Sequence, residues 1–173
     1  GRFDEAVDHY HEALRIGVNP AKAYTNLGRM FAERGKFDQA QEYLEMALQI
    51  RPNYIKAHNN LGIMRAQQGA YKEARAHLEK VLRISPEYEK AYINLGQILA
   101  QQGELDEAAG YLETLLRIRP DYSQAHNNLA VVLVKQGAYA RARQHLEVAL
   151  QIDPDNVEAR SNLKWIEERA SRR

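Results

Sequence analysis

Apolar residues along this chain fall into short stripes of two kinds that alternate and return every 34 residues. Leu27, Leu61, Leu95, Leu129 and Leu163 hold one position of that period. Gly35, Gly69, Gly103 and Gly137 hold a second, and Pro52, Pro86, Pro120 and Pro154 a third. With Ala21 as position 1, complete units cover 21–54, 55–88, 89–122 and 123–156, without insertion or deletion. A period of this size marks a solenoid, in which each unit buries its apolar face against the next.

Each unit predicts two helices. The first carries Ala at position 3, Leu at 7 and a small residue at 8 (Gly28, Gly62, Gly96, Ala130), and stops at the position-15 glycine. That residue suits a helix end needing positive φ. The second carries Ala40, Ala74, Ala108 and Ala142 at position 20. Leucines follow it at offsets of four, Leu44, Leu78, Leu112 and Leu146, then Leu48, Leu82, Leu116 and Leu150, on one helical stripe. Proline ends the unit, because it cannot continue a helix and biases the residue before it away from the helical region. Small residues at 8 and 20 let the two helices of a hairpin approach closely.

The small residue at 8, Ala at 20 and Pro at 32, recurring in fixed register over essentially the whole chain, resemble the tetratricopeptide repeat family. The resemblance implies an all-α fold, a right-handed superhelical solenoid of antiparallel helix-turn-helix repeats, running as a single array over 1–173. Two departures stand out. Arg65 occupies position 11, usually apolar, and Val81 and Leu115 replace Ala at position 27.

The ends carry half-units. Residues 1–20 read as a second helix alone, with Phe3, Ala6, Tyr10, Ala13 and Leu14 on its stripe, as in a piece cut from a longer array. Residues 157–173 read as a capping first helix: Ala159, Asn162, Leu163 and Ile166 keep the pattern, while Arg160, Lys164 and Glu167 make its outer face polar. Arg169, Arg172 and Arg173 read as a solvated tail, and Trp165 as a cover for the end of the array or an anchor for a partner.

In the family, first helices line a concave face, so the resemblance places the ligand wall on their outward positions. Position 6 is asparagine in every first helix: Asn26, Asn60, Asn94, Asn128 and Asn162. An amide both donates and accepts, so it can pair with a peptide backbone without reading its side chains. Helices about 8–10 Å apart and a strand rising about 3.3 Å per residue put one amide opposite roughly every third residue of an extended ligand. The row is similar to the asparagine ladder in the superhelical repeats of O-linked N-acetylglucosamine transferases, where such residues hold the substrate backbone. An ordering role between adjacent first helices is the plainer alternative. Beside the row, Lys56, Lys90, Asn59 and Asn127 are candidate contacts. The full carboxylate clamp of chaperone-tail binders is rejected: of its five positions only Asn60 and Lys90 match, whereas Thr25, Arg29 and Asn94 do not.

Composition narrows the chemistry. Lys and Arg total 24 against 23 Asp and Glu, a net charge of +1 that gives no electrostatic pull toward nucleic acid or anionic lipid. No apolar run approaches the roughly 20 residues of a membrane span. Cysteine is absent, which excludes disulfides and thiolate metal sites. His58 and His77, like His126 and His145, are 19 apart, but Tyr24 with Tyr43 and Tyr92 with Tyr111 fill the same slots in the other units. Exchange with tyrosine points to packing. Neither a metal, a cofactor nor a catalytic residue is expected. The sequence therefore predicts a non-catalytic scaffold holding an extended peptide. The alternatives are a substrate-recruiting region of a larger enzyme such as a glycosyltransferase, or self-association through the N-terminal end.

Overall fold

A computed structural model describes residues 2–170, with side chains from 3 to 169. Among the described residues the chain is all-α, with ten helices and no strand. It divides into two compact units, Gly1–Pro86 and Glu87–Arg173.

The first unit contains α1 (Arg2–Arg15), α2 (Pro20–Ala32), α3 (Phe37–Ile50), α4 (Ile55–Gln67) and α5 (Tyr71–Ile84). Helices α2 and α3 form one antiparallel hairpin and α4 and α5 the next, while α4 also packs on α2 and α3. The core they share includes Leu27, Phe31, Leu44, Leu61 and Met64, all buried. Helix α1 lies on α2, its Phe3 ring edge-on to Phe31 at 5.4 Å.

The second unit repeats the plan with α6 (Glu89–Gln102), α7 (Leu105–Ile118), α8 (Ser123–Lys135), α9 (Tyr139–Ile152) and α10 (Val157–Ala170). Hairpins α6–α7 and α8–α9 stack so that α8 touches α6 and α7, and α10 closes on α8 and α9.

Two devices recur in the hairpins, the first in α2–α3, α4–α5 and α6–α7, with Ala130 in the glycine's place in α8–α9. Where the helices cross, a Cβ on Gly62 would stand 2.7 Å from Leu78 Cγ, so glycine there lets the leucine reach the opposite backbone. At the turn, Gly103 adopts φ 83° and Glu104 N–H bonds back to the Leu99 carbonyl at 2.9 Å. The bond recurs as Lys36 to Phe31, Ala70 to Arg65 and Ala138 to Leu133, a six-to-one C-terminal closure at every hairpin. Each later connection uses proline: Ser85 and Asp153, just before Pro86 and Pro154, are extended, which stops the second helix.

The entry to α2 is made differently. Val18 stands where later units have proline, Gly17 and Asn19 take positive φ, and Pro20 begins the helix itself. Helix α10 reaches Ala170, so Arg169 belongs to the helix and lies over the Trp165 ring at 5.2 Å, not in a solvated tail. Arg172 and Arg173 fall outside the described residues.

Candidate functional site

The wall of first helices can be followed in each unit. On α2 and α4, Asn26 and Asn60 are half-buried, and Lys22 and Lys56 stand exposed beside them. On α6, α8 and α10, Asn94, Asn128 and Asn162 have the same half-buried setting, and Lys90 is exposed. One residue earlier the picture changes. Asn59 is 5 % and Asn127 2 % exposed, so neither lies on the open wall where the sequence pattern put position 5. The reason is that a first helix is covered on two sides, by its own second helix and by the neighbouring first helix. In the second unit Asn127 points into the second contact, that of α8 with α10; Thr25 and Ile93 at the same position are also buried.

In the second unit the buried amide is fully engaged across that contact. Asn162 Nδ2 donates to Asn127 Oδ1 at 2.9 Å, and Asn127 Nδ2 donates to Glu158 Oε2 at 3.3 Å. Asn127 thus ties α8 to α10, and the position-6 amide of Asn162 is partly committed to ordering the stack. Asn128 is different. Its Nδ2 is buried and has no hydrogen-bond partner, an arrangement that costs about 1–3 kcal/mol.

Asn128 lines an open cleft of about 410 Å³ between α6 and α8. Gln97 and Gln101 from α6 and Lys135 from α8 supply its polar rim, and Gly96, Leu112, Val131 and Val132 its apolar floor and side. The Lys135 ammonium is held by the Ala100 carbonyl at 2.9 Å, so the rim is dominated by neutral amides. A second hollow of about 230 Å³ lies between α8 and α10, lined by Val131, Val134, Leu146 and Trp165 with Asn162. Trp165 is 45 % exposed and rests against Tyr139 with ring centroids 6.5 Å apart. Gln101 and Lys135, both at position 13, are wall residues that the sequence reading passed over. They sit one turn beyond position 9 on the same face, and that spacing was the available signal.

Arg65, the polar intruder at position 11, is accommodated by a local network. Its guanidinium donates to Gln41 Oε1 at 2.9 Å and Gln68 Oε1 at 3.0 Å, and Nε lies 3.0 Å from a Glu73 oxygen without being aimed at it. It joins α3, α4 and α5 where an apolar side chain would have packed. Among the described residues no three His, Cys, Asp or Glu side chains gather as a metal site, and no helix is long and apolar enough to cross a membrane.

Comparison with known proteins bears on the fold. Three family models described as tetratricopeptide repeat match the chain, one over residues 1–53 and 19–87, a second over 65–132 and a third over 123–156. No curated protein matches. Among solved structures, the chain is similar to one from the APC/C hetero-tetramer Cut9–Hcn1, with 22% identity, a TM-score of 0.81, and coverage of 96% of this chain and 33% of that one. It thus spans about a third of that protein. TTC0263, a thermophilic repeat protein of Thermus thermophilus, has 22% identity and a TM-score of 0.78 over 96% of this chain and 91% of its own. YrrB, a repeat protein with an unusual peptide-binding site, has 23% identity and a TM-score of 0.71 over 94% and 84%. At these identities the likeness shows the fold alone, an all-α helical-repeat solenoid.

Proposed function

Because the chain belongs to the tetratricopeptide repeat family, whose members commonly act as protein-interaction scaffolds, we propose that it is a non-catalytic module holding an extended, largely uncharged peptide segment of a partner along its first helices. The observation that carries this reading is the Asn128 amide. A buried donor without an acceptor, beside a cleft rimmed by Gln97 and Gln101, is a group kept at a cost in stability. A half-turn of the amide exchanges its two ends and offers the N–H₂ to a ligand carbonyl. Asn26, Asn60, Asn94 and Asn162 repeat the same position, Lys56 and Lys90 flank it, and Asn59 and Asn127 support it from behind. The hollow beside Trp165 suits one apolar side chain of the same segment. A similar protein, YrrB, has a peptide-binding site of its own, which agrees with this reading by analogy. A single array over 1–173 belongs to the proposal too, supported by the unbroken 34-residue spacing and by a family model that spans residues 65–132.

The test begins with peptides selected from a random display library against the whole chain. Replacing Asn60, Asn94 and Asn128 together by Ala is expected to weaken the selected peptides at least tenfold, about 1.4 kcal/mol, in a protein of unchanged helicity. Unchanged affinity removes the asparagines from the mechanism.

A second reading, a substrate-recruiting region of a larger enzyme such as a glycosyltransferase, is favoured by the asparagine present in every first helix. A catalytic domain in the parent reading frame supports it, and a frame made only of repeats counts against it. Self-association through the N-terminal end is decided by light scattering over a concentration range, where a strict monomer dismisses it.

A further inference from the structure

Helical hairpins α4–α5 and α8–α9 each contain a pair of histidines that the peptide-binding reading leaves unused. His58 on α4 faces His77 on α5 with Nδ1 to Nδ1 at 3.1 Å, and His126 on α8 faces His145 on α9 at 2.9 Å. The ring centroids are 5.4 Å and 5.2 Å apart. In both pairs centroid and nitrogen separations differ by about two imidazole ring radii, so each Nδ1 points straight at the other. Two nitrogens chelating a metal would converge on a point off that line. The geometry is that of one shared proton.

The rest of each pair fixes where that proton resides. His58 Nε2 lies 3.0 Å from the Pro52 carbonyl, and His126 Nε2 lies 3.0 Å from the Pro120 carbonyl. A carbonyl only accepts, so both of these Nε2 atoms carry hydrogen. In the neutral ring the other nitrogen is then a bare acceptor. His77 and His145 must supply Nδ1–H, and each bond runs from the second helix of the hairpin to the first. Through Pro52 and Pro120 the same pair grips the connection to the preceding hairpin.

We propose that these two histidine pairs are proton-sensitive latches, closed near neutral pH by one N–H···N bond each and opened in mild acid. One added proton can be borne on the outer nitrogen of the second-helix ring. A second forces two N–H groups and two positive charges against each other at the shared contact. His58 is 4 % and His126 9 % exposed, so little water reaches that contact to relieve it.

The surrounding charges act mainly in the same direction. Desolvation is the largest influence holding His58, His77 and His145 below the ordinary imidazole range. Lys80 adds to it at His58, where the Pro52 carbonyl opposes it. The partner His58, Arg65 and Lys80 add to it at His77, and Glu73 opposes. At His145 the partner His126 and Arg141 add to it, and Glu113 on α7 opposes. A histidine with a lowered value in the folded state binds fewer protons there than in the unfolded chain. Its stabilisation is therefore complete above the unfolded value of about 6.5 and is lost as pH falls below it.

The other two hairpins supply an internal control. Tyr24 and Tyr43 occupy the same two positions with centroids 6.2 Å apart, and Tyr92 and Tyr111 do so at 6.4 Å. Phenols do not titrate in this range, since their ordinary value is about 10. The test replaces the four histidines with the residues of their sister hairpins (His58→Tyr, His77→Tyr, His126→Tyr and His145→Tyr) in the whole chain. Urea midpoints are then compared at pH 7.5 and 5.5. The unaltered protein is expected to lose stability over that interval, mostly below about pH 6.5. The variant, which retains His9 and His11, is expected to lose clearly less. Equal losses in both proteins, or none in the unaltered one, overturn the proposal. Imidazole nitrogen spectra of the unaltered protein decide the matter even where the variant does not fold. Nε2–H on His58 and His126, with Nδ1–H on His77 and His145, is the expected tautomer set. Titration of His58, His77 and His145 at or above the free-imidazole value overturns it.

Discussion

Asn127 and Asn128 are adjacent, chemically identical and differently employed. The first is 2 % exposed and bonded to both Glu158 and Asn162; the second has a buried, unpartnered Nδ2. Asn127→Ala should therefore destabilise the chain by about 1 kcal/mol, because it removes the acceptor of the half-buried Asn162 amide, while the exposed Glu158 carboxylate turns to water. Asn128→Ala should be neutral or slightly stabilising while weakening peptide binding, as expected of a group retained for function at the expense of stability. Urea denaturation of the two variants reads the contrast, and equal losses contradict it. The sequence showed that both positions are asparagine in the second and fourth units but not which one faces outward. Positions 5 and 6 differ by one residue around the helix, and only the neighbouring first helix decides which is covered. Arg65 was legible as an anomaly, yet its solution was not, because Gln41, Gln68 and Glu73 lie on three different segments.

Helix boundaries followed the punctuation closely, because glycine and proline act through the backbone, which repeats without interruption. Gly103 and Gly110 separate the two ways glycine enters a helical hairpin. Gly103 has φ 83° and nothing within 4 Å of where a Cβ would stand, so Gly103→Ala should cost about 1–2 kcal/mol through backbone strain alone. Gly110 lies inside α7 with ordinary φ and equally open space. Gly110→Ala should stabilise by about 1 kcal/mol, the helix propensity difference. Gly62→Val, by contrast, drives into Leu78 and should cost about 1–3 kcal/mol. Thermal midpoints of the three variants, ordered Gly110→Ala above the parent and the other two below, check the set. The connection from α1 to α2 escaped the sequence pattern. It replaces the expected proline with Val18 and turns on Gly17 and Asn19 instead.

At the scale of the molecule, stability in a repeat chain is a sum of hairpins and their nearest-neighbour contacts. Helix α1 packs on α2 and reaches α3 only through the His11–Tyr43 contact, whereas α4 is held by α2, α3 and α5. Amides of α1 should exchange with deuterium well before those of α4 in the 173-residue chain, and the reverse order contradicts the packing described. The fold class was readable because periodicity survives any local substitution. Part of the wall was not, because it depends on which faces the stacking leaves open. The most direct measurement is side-chain amide and methyl NMR of the chain titrated with a display-selected peptide. Shifts are expected to concentrate on Asn128, Gln97, Gln101 and Val131, and to extend along the position-6 asparagines. Shifts confined to the outer faces of the second helices, with Asn128 unmoved, contradict the proposed function.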